Sequence, residues 1–177
     1  CFRNEGMDKS HNPDFTMLEF YWAFVDYEKL MILTEKMFEC LVPELEVAYQ
    51  GRKINLTPPF KRVTMRELIL NELEIDIDKA SEEEIMAELG RRGITPEEGK
   101  ACRAIDALFK IIRPKLISPT FICDHPLEMS PLAKEKIDTG LNKRYAERFQ
   151  LVIGGMELIN AYSELNDPQE QAKRMKE

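Results

Sequence analysis

Residues 2–21 constrain the fold of this chain more than any other stretch. Phe2-Arg3-Asn4-Glu5 reads as a short strand, and its period of two places Arg3 and Glu5 on one face. Gly6 to Pro13 is rich in turn formers and predicts a loop. From Phe15 the alternation predicts a long returning strand. Phe15, Met17, Glu19 and Tyr21 share one face, while Thr16, Leu18, Phe20, Trp22 and Phe24 share the other, which is almost wholly apolar and expected to be buried. On the first face a carboxylate and a phenol stand among apolar neighbours. Burying a charge costs several kcal/mol unless it is paired. The residues alone therefore leave two readings open, a ligand pocket or an internal pair of Arg3 with Glu5 or Glu19.

At 177 residues the chain is long enough to bury a core of its own. Its 44% hydrophobic and 32% charged residues are ordinary for a globular protein. No apolar run approaches the roughly 20 residues of a membrane span, and no signal-peptide pattern is visible, so a cytoplasmic location without membrane contact is expected. The net charge of -7 argues against a general nucleic-acid-binding surface within these residues. Cys1, Cys40, Cys102 and Cys123 form no Cys-x-x-Cys pair, and with only His11 and His125 beside them reduced thiols are expected rather than a zinc site. The chain opens on Cys1 directly into a strand, as expected of a piece cut from a longer polypeptide.

Asp26 caps a predicted helix with an apolar stripe through Leu30, Leu33, Met37 and Leu41, stopped before Pro43. Gln50-Gly51 predicts a hairpin turn. Phe60 to Thr64 is a short strand feeding a helix near 65–71. From Ile75 to Pro114 the character changes. Ser81-x-x-Glu84 is a capping box for a helix ending near Gly90, and Thr95-Pro96-Glu97-Glu98 starts another with Ala101, Ile105, Leu108, Phe109 and Ile112 on one face. The acids at 76, 78 and 82–84 read as a solvated face. The predicted organisation is a sheet unit in two parts, 1–74 and 115–177, interrupted by a helical insertion at 75–114. Pro119 to Ile122 is a strand, and Gly140 to Arg144 is expected to be mobile or poorly ordered.

A second constellation lies near the end. Arg148 to Ile153 predicts a strand, Gly154-Gly155 a tight turn and Glu157 to Leu165 a second strand, with Leu158, Asn160, Tyr162 and Glu164 on one face. An amide, a phenol and a carboxylate on a shared face suit an amino acid with a cationic tail.

Phe2-Arg3-Asn4-Glu5-Gly6, the loop His11-Asn12-Pro13-Asp14-Phe15-Thr16, and Glu19-Phe20-Tyr21 together resemble motif 2 of class II aminoacyl-tRNA synthetases, in detail the bacterial-type lysyl-tRNA synthetases. Ser130-Pro131-Leu132-Ala133-Lys134 and the run from Glu157 to Asp167 are similar to the same family, so the resemblance covers nearly the whole chain. It implies an α+β fold: the class II antiparallel sheet flanked by helices, with a small helical insertion. It implies ATP and Mg²⁺ as cofactors, and lysine and tRNA(Lys) as partners, the tRNA through a full-length protein expected to be a homodimer. By this resemblance Arg3 bridges the lysine carboxylate and the ATP α-phosphate, a task for a bidentate guanidinium. Glu5, His11 and Asn12 hold the two ends of ATP and Phe15 stacks on adenine; without the resemblance His11 reads as a solvated loop histidine. Glu19, Tyr21 and Glu164 receive the ε-ammonium, Tyr162 packs the aliphatic stem and Asn160 holds the carboxylate.

Glu157 has the wrong parity for the Asn160 face, so its family role as a Mg²⁺ ligand requires a bulge between Glu157 and Asn160. The family's second metal carboxylate falls at Gln150, whose amide can coordinate Mg²⁺ without neutralising it, so weaker or altered metal dependence is expected. The implied activity is a ligase reaction, lysine attacking ATP to give lysyl-adenylate, then transfer to tRNA. Motif 1, the Gly-rich motif 3 and an anticodon-binding barrel have no counterpart in these 177 residues, so the segment alone is expected to be inactive. Two rivals stand beside this reading: a paralogue that lysylates a protein of the elongation factor P type, and a non-catalytic regulatory or binding module.

Overall fold

The computed structural model describes residues 1–4, 6–7, 11–94, 101–137 and 139–176, with the side chains of Ala101 and Cys102 outside the description. Strand β6 (Tyr145–Ile153) is the middle of the main sheet. It pairs antiparallel with β4 (Thr120–Pro126), with β5 (Glu135–Lys136) and with β7 (Met156–Tyr162), while β3 (Lys61–Thr64) pairs with β4 in parallel. The sheet is thus antiparallel except at that one pair. A parallel neighbour needs a crossover connection, and the helices between Thr64 and Thr120 supply it: α2 (Met65–Leu73), α3 (Glu82–Arg91) and α4 (Ala101–Ile112). The predicted hairpin is β1 (Glu46–Tyr49) with β2 (Arg52–Asn55), a separate two-stranded ribbon turning at Gln50 and Gly51, both at positive φ.

The helices begin where side chains supply the donors' missing partners. Asp26 accepts from Lys29 N at the start of α1 (Tyr27–Leu41), and complete capping boxes, Thr64 with Glu67 and Ser81 with Glu84, open α2 and α3. The helix start expected at residues 95–98 lies outside the described residues; α4 is helical from Ala101 and buries Ala104, Ile105, Leu108, Phe109 and Ile112.

Both faces of the sheet are covered by helix. On one, α2, α3 and α4 form a core with Val63, Ile122 and Val152. On the other, α1 and the ribbon meet Phe60, Phe121, Cys123, Phe149, Leu151 and Ile153. The hairpin joining β6 to β7 is a two-residue turn, Gly154 and Gly155 at φ +61° and +79°. That is the primed geometry only glycine-like residues adopt easily. A Cβ on Gly154 would meet Tyr49 at 2.9 Å, so the ribbon rests directly on this turn.

Three expectations are corrected. The stretch from Phe15 to Phe24 is not a strand. Its described pairing stops at Phe15: the Phe2–Asp14 bridge, with Arg3 N donating to Pro13 O, Phe15 N to Cys1 O and Cys1 N to Phe15 O, while Leu18, Phe20, Trp22 and Phe24 are exposed rather than buried. Alternation prescribes how a strand would face, but among the described residues no neighbour pairs with it. The acids after Ile75 are not all solvated: Asp76 takes a bidentate bond from Arg66 at 2.6 and 2.7 Å, and Asp78 is buried. Asp78 accepts from the backbone of Asn142 and Lys143 and from the Asn142 side chain, so residues 141–144 are anchored rather than mobile. Glu82, Glu83 and Glu84 are exposed as expected.

The Arg66 bonds hold the Asp76 carboxyl down at about 2. Below its ordinary value, near 4, protonation begins to favour the unfolded chain. The stabilisation is complete above pH of about 4 and lost as pH falls towards 2. Asp76→Asn is expected to lower the urea midpoint at pH 7 and to converge on the unaltered protein in acid. Leu108→Ala, in the centre of the helical core, should cost about 2–5 kcal/mol in the same measurement.

Candidate functional site

The even-numbered positions of β6 point to the α2–α4 face of the sheet, and those helices cover only part of it. Val152 lies under them, whereas Arg148 and Gln150 continue the face beyond. Strand β7 lies alongside, with Tyr162 opposite Arg148 and Asn160 opposite Gln150. The register then slips: Leu151 pairs with Ile159 but Val152 with Glu157, so Leu158 is an extra residue. This is the bulge that parity demanded, and it turns Glu157 onto the Asn160 side. Strand β7 ends at Tyr162, earlier than expected, and Glu164 forms an isolated bridge with Ala133.

Three polar clusters result. In the first, Tyr21 donates to Glu19 at 2.7 Å. That bond, then the charge of Glu19 and more weakly the charge of Glu164, raises the Tyr21 pKa. Burial first, and then Glu164, raises that of Tyr162, with Glu19 adding to the rise and Arg148 opposing it. Glu19, Tyr21, Tyr162 and Glu164 therefore share one field, and among the described residues no cation is paired with either carboxylate. The link between the two chain segments is local: Tyr27 N, at the head of α1, donates to Ser163 Oγ at 3.1 Å.

In the second cluster, Arg148 donates through Nε to Asn160 Oδ1 at 2.9 Å, and through Nη1 to Met129 O at 2.9 Å and Ser130 Oγ at 3.0 Å. These residues, with Pro131, Leu132, Ala133 and Tyr162, line a cavity of about 140 Å³. Burial pulls the Arg148 pKa down. Sequence reasoning missed Arg148 as a site residue. The available signal was its parity, since it shares a face with Gln150 and with the buried Val152.

The third cluster is a relay from β4. His125 Nε2 lies 3.0 Å from Gln150 Oε1, and Gln150 Nε2 donates to Glu157 Oε2 at 2.8 Å. His125 is buried, which pushes its pKa down to about 3 and keeps it neutral. The Glu157 residue is exposed overall, yet crowding around its carboxyl raises the pKa. His125 too was missed; a ladder shift between Cys123 and His125 aims it at Gln150, and alternation alone would not.

The Arg3 guanidinium lies 5.4 Å from the centre of the Phe15 ring. His11 and Asn12 are exposed. Glu5 lies outside the described residues.

The family model described as tRNA synthetases class II (D, K and N) matches residues 1–177. The chain belongs to that family. Among curated relatives, lysine–tRNA ligases of Fervidobacterium nodosum, Thermotoga maritima and Chloroflexus aurantiacus are each 41% identical, over 98%, 99% and 99% of this chain. Those matches cover 34%, 35% and 37% of the relatives, so this class II synthetase segment spans about a third of their length.

A divalent ion between Glu157 and residue 150 does not fit this class II segment as its side chains stand. Gln150 turns its hydrogens, not its oxygen, towards Glu157, and its oxygen is held on His125. Among the described residues no three His, Cys, Asp or Glu side chains converge as metal ligands. In the full-length polypeptide, Gln150→Glu is expected to tighten Mn²⁺ binding by about tenfold, measured by calorimetry, because a second anionic oxygen replaces an N–H donor.

Proposed function

We propose that this segment is part of the catalytic domain of a lysine–tRNA ligase that activates lysine with ATP and transfers it to tRNA(Lys). The observation that carries the reading is the acid pair: Glu19 and Glu164, from opposite ends of the chain, act on the same two phenols, and among the described residues no cation is paired with either. A lysine ε-ammonium supplies the missing charge. A neutral side chain would leave two carboxylates uncompensated, which is the stronger form of discrimination. The names of the relatives agree.

In this reading Asn160 holds the substrate carboxylate, Tyr162 packs the aliphatic stem and Tyr21 orients Glu19. Arg3 draws the carboxylate and the α-phosphate of ATP together and steadies the charge that develops as they react. Phe15 is the stacking surface for adenine, with His11, Asn12 and Glu5 at the phosphate and adenine ends. A Mg²⁺ ion would supply charge neutralisation at the phosphates; Glu157 would be its anionic ligand in this segment, and Gln150, which does not fit as it stands, is the departure. The 75–114 helices are proposed as an insertion within the catalytic unit. The full-length protein is proposed to be a cytoplasmic homodimer; among the described residues no helix is long and apolar enough to cross a membrane.

The test is lysine-dependent ATP–pyrophosphate exchange by the full-length polypeptide. Exchange is expected with lysine and not with other amino acids. Glu164→Gln should raise the lysine KM by at least about tenfold, and leave that for ATP within about twofold. Lysine binding without exchange would instead favour a non-catalytic binding module, and exchange followed by lysine transfer to a protein and not to tRNA would favour the paralogue.

A further inference from the structure

We infer that Arg148 is a positioning residue for the α-carboxylate of the amino-acid substrate, setting the Asn160 amide and placing positive charge behind it. The inference rests on the amino-acid-activating reading of this site, and deepens it.

The geometry is specific. The three acceptors of Arg148 are Asn160 Oδ1, Met129 O and Ser130 Oγ, all neutral, and Nη2 makes no hydrogen bond within the described chain. No acidic side chain forms an ion pair with Arg148 among the described residues. A half-buried guanidinium with no directly bonded anion, favoured only through space by the charges of Glu157 and Asp106, is a costly arrangement, and a site that waits for an anionic ligand explains it. The bond from Nε consumes the oxygen of the Asn160 amide, which fixes the orientation that amides otherwise leave open. The NH₂ end of Asn160 must then face away from Arg148, and the cavity of about 140 Å³ is bounded by Asn160, Tyr162 and the segment 129–133. A carboxylate there meets an amide donor and the guanidinium's field.

Arg148 also gives the site polarity. The Tyr162 hydroxyl feels both fields, Glu164 and Glu19 raising its pKa and Arg148 lowering it. An extended zwitterion with a cationic tail is aligned by that gradient, tail towards the acids and carboxylate towards Arg148. The same guanidinium ties the Met129 carbonyl and the Ser130 hydroxyl to the sheet, so the wall of the cavity and the amide are set by a single group.

The test measures binding of L-lysine, of 1,5-diaminopentane (lysine without its carboxylate) and of ATP to the full-length polypeptide by calorimetry. Arg148→Met is expected to weaken lysine by about tenfold or more, while diaminopentane and ATP stay within about twofold. Arg148→Lys, which keeps charge but loses the fork, should recover part of the loss. Equal losses for lysine and diaminopentane would show a merely structural role and overturn the assignment, as would unchanged lysine binding. Should Arg148→Met fail to fold, Asn160→Asp decides, because it keeps an oxygen for Arg148 and replaces the outward NH₂ with oxygen. Unchanged lysine binding in that variant overturns the proposal. If the unaltered polypeptide prefers another amino acid and Arg148→Met weakens that one, lysine specificity falls and the role of Arg148 stands; if it binds no amino acid, both fall.

Discussion

Strand β6 is packed on both faces, and the arrangement of everything else follows from which residue faces which way. Its odd positions, Phe149, Leu151 and Ile153, press against α1 and the ribbon, where Phe149 meets Phe121 edge-on at 5.1 Å and Phe121 meets Phe60 at 5.8 Å. Aromatic pairs of this kind add about 0.5–1.5 kcal/mol beyond the area they bury. Its even positions divide. Val152 closes the helical core, and Gln150 and Arg148 emerge beside it into the polar site. The site is therefore the uncovered remainder of a face that the crossover helices otherwise fill.

Two interruptions of the ladder adjust that plan. Along β4 the pairing passes from Cys123–Phe149 to His125–Ala146, with Asp124 between them at φ +55°. Along β7 Leu158 is surplus. Each turns a polar side chain, His125 or Glu157, towards Gln150. Asp124 is held in its unusual conformation by Lys136 at 2.7 Å and by the Tyr27 hydroxyl at 3.1 Å. Burial works against the charge on Lys136, but the bonds to Asp124 and Tyr27 outweigh it and raise its pKa. The strain at the β4 slip is thus stabilised by a network that also seats the head of α1.

Much of this was legible beforehand. The helix starts at Asp26, Thr64 and Ser81 rest on contacts within one turn, and short-range chemistry is what a sequence displays directly. Even the bulge in β7 could be inferred, because Glu157 and Asn160 cannot share a face of a regular strand. Long-range pairing was not legible. The alternation from Phe15 to Phe24 is real, but it does not name a neighbour. Asp78 looked like one acid among many, because its partners at Asn142 and Lys143 lie some sixty residues away. Arg148 looked like a strand's polar beginning, and only the placement of Asn160 and Ser130 around it reveals a hub.

Leu158 shows how the chemistry is encoded in spacing as well as in residue type. Were β7 to pair with β6 without the slip, Leu158 would stand opposite Val152 and Glu157 opposite Ile153, and the hairpin turn would lengthen by one residue. The carboxylate of Glu157 would then face the far side of the sheet, away from Gln150 and Asn160. One surplus residue thus lets two polar positions three apart share a face, which no choice of residue types on a regular strand could achieve.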